Sequence, residues 1–157
     1  MGLSEEILEK SPFLISGGEQ RKVAIAGIIA MEPDVLILDE PTVGLDPYSK
    51  KEILEKIKQY HNKKKNTVIV VSHDINVICK ISTKVLVVDK GEIASYNSVD
   101  ETFSNIEMLN ELNIDIPEVT KIFHKIKQKG FNIRTDIYTE EDAKEELIKF
   151  LGEGKKC

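Results

Sequence analysis

Three short apolar runs, each closed by polar or ionisable residues, constrain the fold of this chain more than any other feature. They are Val35-Leu36-Ile37-Leu38 before Asp39-Glu40, Thr67-Val68-Ile69-Val70-Val71 before Ser72-His73, and Lys84 to Val88 before Asp89. Continuous apolar runs of this length, bounded by turn residues, predict strands buried on both faces of a parallel sheet. The intervening segments read as helices. Asp46 caps one with Pro47 at its first position and Ile53, Leu54 and Ile57 on its inner face, and a shorter one spans Asp74 to Ile81. Asp89-Lys90-Gly91-Glu92 predicts a hairpin into Ile93 to Tyr96. Strands alternating with helices indicate an α/β fold.

Upstream, the first ten residues read as a helix end, followed by a loop at Ser11-Pro12-Phe13. Ser16-Gly17-Gly18-Glu19 then has the spacing of a capping box, opening a helix to Met31 whose apolar stretch from Val23 predicts cover on most sides and which Pro33 ends. From Asp100 the pattern becomes helical throughout. Phe103, Ile106, Leu109 and Leu112 recur at helical spacing, and Val119, Ile122, Phe123 and Ile126 follow between Pro117 and Gly130. A last helix is capped by Thr139 with Asp142 at its third position, turns Ala143, Leu147 and Leu151 inward, and stops at Gly152. The expected organisation is an α/β part over residues 1–98 and a helical extension over 99–157.

A chain of 157 residues with 41% apolar and 31% charged residues has a globular balance. Its net charge of −5 argues against a nucleic-acid partner, and Lys63-Lys64-Lys65 reads as a solvated turn. Cys79 and Cys157 form no disulfide framework or metal cluster and suit a reducing compartment. No apolar run approaches the ~20 residues of a membrane span. The acidic start Met1-Gly2-Leu3-Ser4-Glu5-Glu6 is unlike a signal peptide, so a membrane role is expected to come through partners.

Individually, the chemistry-bearing residues have two readings. Ser16-Gly17-Gly18 is either a glycine-rich helix entry or an anion site, in which bare amides and the helix macrodipole meet phosphate. Asp39 and Glu40 stand at the exit of a strand, where α/β sheets bind ligands: one carboxylate suits Mg²⁺ held through water and the other an attacking water. Asp39 is alternatively a turn cap, and His73 a histidine without a task.

Taken in order, the three segments resemble the ATP-binding-cassette family. Ile15-Ser16-Gly17-Gly18-Glu19 looks like its signature loop, Val35 to Asp39 like Walker B, Glu40 like the catalytic carboxylate, Gly44-Leu45-Asp46 like the D-loop and His73 like the switch histidine. The resemblance covers residues 11–96. Ser11-Pro12-Phe13 and the run from Val23 to Pro47 are most similar to ATPase subunits of energy-coupling-factor (cobalt and vitamin) importers.

The resemblance implies a P-loop NTPase-like core with a parallel sheet, ATP and Mg²⁺ as cofactors, and two ATPase domains meeting head to tail. It implies that Asp39 supports Mg²⁺, that Glu40 acts on water and that His73 senses the γ-phosphate. Ser16, Gly17, Gly18 and Glu19 would then face a nucleotide on the partner, with Asp46 reaching across the pair. Partners would be a second ATPase subunit and integral membrane transport subunits, at the cytoplasmic face of the membrane, and the extension would serve pairing. Two departures stand out. Glu19 replaces the usual glutamine, which favours capping over nucleotide contact, and no G-x-x-x-x-G-K-[ST] phosphate loop is present, Gly154-Lys155 lacking the earlier glycine. The chain alone is therefore expected to hydrolyse little or no ATP. The rival reading is a non-catalytic interaction module that lends its signature loop to a full ATPase. A chromosome-maintenance ATPase fits less well, because Asp39-Glu40-Pro41-Thr42 is not its typical run and no heptad arm precedes residue 11.

Overall fold

The computed structural model describes residues 3–153. Cys157 and the Gly154-Lys155 pair lie outside them. The chain forms two compact units, the first ending at His73 and the second beginning at Asp74.

In the first unit, short 3₁₀ turns at Glu5–Glu9 and Pro12–Leu14 precede helix α1 (Gly17–Ala30), strand β1 (Val35–Asp39), helix α2 (Pro47–Lys64) and strand β2 (Thr67–Val71). The strands pair in parallel from Val35↔Thr67 to Asp39↔Val71. Because side chains alternate along a strand, one face of this pair carries Leu36, Leu38, Val68 and Val70, and against it pack Ile25 of α1 and Ile53 and Ile57 of α2. The start of α2 follows the expected chemistry: Asp46 accepts from the amides of Tyr48 and Ser49, and Pro47 occupies the first turn. Lys63 and Lys64 are its last turn and Lys65 its left-handed C-cap, so this lysine run is a helix end, where cations complement the macrodipole.

Two expectations for this unit need correction. The strands are not buried on both faces: Leu36 and Leu38 are 1% and 5% exposed, but Val35 and Ile37 on the opposite side are 53% and 63% exposed. Nor is α1 covered on most sides, since only Lys22 and Ile25 along it are buried.

The second unit contains α3 (Ile75–Ile81), strands β3 (Lys84–Asp89) and β4 (Glu92–Ser98), and helices α4 (Val99–Ser104), α5 (Ile106–Glu111), α6 (Glu118–Gln128) and α7 (Glu140–Glu153). The strands form the expected antiparallel hairpin, with an irregularity between Val87 and Val88 and Gly91 at φ +83° in the turn. Phe103, Leu109, Tyr138 and Cys79 form one core, and Phe123, Ile133, Ile137 and Ala143 another. The single helix expected around Phe103 to Leu112 is two, because Asn105 ends α4 and caps α5 through the amide of Met108. Thr139 caps α7 with Asp142 as expected, yet the helix continues past Gly152, and Leu147 and Leu151 are exposed while Ala143 is buried.

Candidate functional site

The parallel register decides which polar residues meet. Asp39 and Val71 end their strands as partners, so Glu40 and Ser72-His73 leave the sheet side by side. The Glu40 amide donates to Val71 O at 2.9 Å, and Glu40 itself takes a left-handed backbone at φ +45°. That conformation is uncommon for a residue with a side chain and turns the carboxylate back toward β2. Oε1 of Glu40 accepts from the His73 backbone amide at 2.9 Å and lies 2.5 Å from His73 Nδ1, which is thereby the donating nitrogen. Oε2 accepts from Ser72 Oγ at 3.1 Å. These bonds, the His73 side chain first, hold the Glu40 carboxyl below its ordinary value. Glu40 is therefore a carboxylate near neutral pH, the form an acceptor of a water proton requires.

Asp39 is exposed at the end of β1, and among the described residues its carboxylate has no hydrogen-bond or ion-pair partner. No group of three or more His, Cys, Asp or Glu side chains comes together as a metal cage among the described residues. A cation here would have one protein carboxylate, which suits Mg²⁺ with its retained waters and phosphate ligands.

The second cluster lies at the start of α1. Ser16 forms the expected capping box: its amide and hydroxyl donate to Glu19 Oε2 at 2.8 and 2.7 Å, and its Oγ accepts from the Glu19 amide at 3.3 Å. Gly17 meets nothing within 4 Å of an added Cβ, whereas a Cβ on Gly18 would come 3.2 Å from Leu45 Cδ2. The loop before α2 thus approaches the helix start closely at Gly18. Gly44, at φ +75°, allows the turn that brings Leu45 there. Asp46 follows, its carboxyl held low chiefly by its bonds to Ser49. An open depression of 880 Å³ is lined by residues of both segments, among them Ser16, Gly17, Gly18, Glu19 and Asp46. The amides of exposed Gly17 and half-buried Gly18, in the first turn of α1 at its edge, are of a kind that binds phosphate oxygens.

The structure brings Glu40 and His73 into contact, sets Asp39 next to Glu40, and gathers the remaining five candidates around the depression. Sequence reasoning missed the residues that brace them. Arg21 Nη1 donates to Val43 O at 2.6 Å, and Lys22 Nζ pairs with Glu52 at 2.6 Å in a largely buried position, so adjacent basic residues of α1 grip the loop before α2 and α2 itself. Ser72 binds Glu40. The only sequence signal was Lys22 directly before an apolar run; the others depend on strand register and helix packing.

Comparison with known proteins adds the following. Residues 9–79 match the family described as "AAA domain, putative AbiEii toxin, Type IV TA system". The energy-coupling factor transporter ATP-binding protein EcfA2 of Caldanaerobacter subterraneus subsp. tengcongensis is 44% identical over 151 residues, 96% of this chain and 53% of that protein. The chain spans about half the length of the curated relatives it matches. Among solved structures, cbiO1 from Clostridium perfringens, part of the ABC transporter complex cbiONQ, is 32% identical with TM-score 0.59, over 78% of this chain and 48% of that one. A dimeric post-hydrolysis state of the ATP-binding cassette MJ0796 bound to ADP and Pi is 32% identical with TM-score 0.57, over 62% of this chain and 41% of that one.

Proposed function

Because the chain belongs to the ATP-binding-cassette ATPases of the energy-coupling-factor type, we propose that it supplies the signature, Walker B and switch-histidine half of an ATPase that powers uptake of a metal ion or vitamin. The observation that carries this reading is the hydrogen-bonded group of Glu40, Ser72 and His73 beside Asp39, which has no partner among the described residues, at the ends of two parallel strands. Asp39 would hold Mg²⁺ through its water shell, and the ion supplies charge neutralisation to the phosphates when bound. Glu40 orients the attacking water and takes its proton. His73, mostly exposed beyond Glu40, exchanges that contact for a phosphate oxygen in this reading. These residues serve a nucleotide cradled by a phosphate loop outside these 157 residues.

The helix start at Ser16, Gly17 and Gly18, together with Glu19 and Asp46, faces a nucleotide bound to a second ATPase subunit. Each ATP then lies between the phosphate loop of one subunit and the signature of the other. Residues 99–157 are the extension through which the subunits pair, residues 1–98 being the C-terminal part of the ATPase domain. No helix among the described residues is long and apolar enough to cross a membrane. In this reading the chain attaches at the inner face of the membrane through integral subunits, which also select the transported substrate.

The test is steady-state ATP hydrolysis by an intact cassette in which this chain follows a phosphate-loop half. Glu40→Gln removes proton acceptance with little change of shape, and should lower kcat about 100-fold or more. Wild-type turnover in that variant removes Glu40 from the mechanism. The 157-residue chain assayed by itself should turn over little or no ATP. Turnover equal to that of the intact cassette contradicts this assignment.

A further inference from the structure

We propose that Ser72 is a positioning residue for Glu40, holding the carboxylate in place independently of the His73 ring. The proposal rests on the role given to Glu40 above and deepens it. Among the described residues three donors reach this carboxylate, and they are divided unequally. Oε1 accepts from the backbone amide of His73 and contacts its Nδ1, whereas Oε2 accepts from Ser72 Oγ at 3.1 Å. The His73 side chain is 80% exposed, against 29% for Glu40, so the ring is the member most able to leave.

When the ring turns away, two donors remain, one on each oxygen. An amide fixed in the backbone holds Oε1 and the Ser72 hydroxyl holds Oε2. Two points fix the plane of a carboxylate, whereas one leaves it free to rotate about its terminal torsion, which has broad, two-fold preferences. Oε2, with one donor instead of two, also keeps a lone pair directed outward, and Ser72 sets that direction. The position of Ser72 follows from the fold: the parallel register ends at Asp39↔Val71, and the Glu40 amide is bonded to Val71 O. Any hydroxyl at residue 72 is carried to the carboxylate by the strand itself, and the left-handed backbone of Glu40 turns the carboxylate to receive it.

Two measurements test this. In the intact cassette, Ser72→Ala should lower kcat about 10-fold with KM for ATP within about 2-fold of wild type, because orientation of the water is lost and nucleotide binding is not. Ser72→Thr, which keeps the hydroxyl, should recover most of the loss. The double variant Glu40→Gln/Ser72→Ala should be no slower than Glu40→Gln alone, since Ser72 acts only through Glu40. Independently of activity, a crystal structure of the 157-residue chain carrying Ser72→Ala should show Glu40 Oε2 displaced by about 1 Å or more, a misplacement large enough to matter for catalysis. Ser72→Thr should leave it in place. An unmoved carboxylate in Ser72→Ala, or wild-type kcat, overturns the proposal. If Glu40→Gln itself keeps full turnover, the functional reading fails, and the structural comparison still decides whether Ser72 positions the carboxylate.

Discussion

Glu19 sits where two demands meet. Its carboxylate closes the capping box of α1, and hydrogen bonds from Ser16 hold its carboxyl below the ordinary 4.5. A negative charge at a helix N-terminus favours the helix but opposes a second anion there. Since the folded-state pKa is lowered, the stabilising contribution is complete above 4.5 and is lost as the pH falls through the lower, folded value. Glu19→Gln keeps the geometry of a capping box without the charge. The variant should therefore melt slightly below wild type at neutral pH, with the gap closing as the pH falls below 4.5 and through the lower, folded value. In the same variant, ATP-dependent association with a full ATPase partner should tighten several-fold. Thermal melts across that pH range and sedimentation with the partner measure the two effects. A gap that widens in acid contradicts the first, and weaker association contradicts the second.

At the scale of elements, α2 holds the first unit together. Ile53 and Ile57 are almost wholly buried against Leu36 and Leu38 of β1, whereas Leu147 on α7 remains 37% exposed. Ile53→Ala should cost about 2–5 kcal/mol, the usual range for a deleted core side chain, and Leu147→Ala well under that. Urea titration of the two variants measures the contrast, and equal midpoints would show that α2 does not carry this core. The same helices show what was legible beforehand. The cap at Asp46-Pro47, the capping box at Ser16 and the inner face Ile53-Leu54-Ile57 all appear as expected, because capping and helical period are local chemistry. Asn105 was not recognised as a break, since a side chain capping the next helix looks like one more polar helical residue. Helical spacing marked Leu147 and Leu151 as a stripe but carries no information on whether anything covers it. In the site, Glu40 and His73 were readable from their place at strand ends. Ser72, Arg21 and Lys22 were not, because their partners Glu40, Val43 and Glu52 are fixed by strand register and helix packing.

For the molecule as a whole, the main consequence is the uncovered sheet. Val35, Ile37, Ile69 and Val71 share one face of the parallel pair, and all four are at least 45% exposed. Leu36 and Leu38 point to the opposite face and are sealed by α1 and α2. A contiguous apolar face between two parallel strands is the kind of surface that proteins cover or use for association. If the phosphate-loop half proposed above provides the cover, the 157-residue chain should self-associate at micromolar concentration. The alternation along the strands supplies the control, because Ile37→Thr with Val71→Thr changes only the exposed face and leaves Leu36, Leu38, Val68 and Val70 in the core. Sedimentation velocity should show the double variant shifting toward monomer while its melting temperature stays near that of the parent chain. Supplying the phosphate-loop half in trans should suppress self-association of the unmodified chain in the same way. A wild-type chain that stays monomeric over that concentration range would mean that the face is tolerated bare, and the cover assigned to the proposed phosphate-loop half would lose its physical basis.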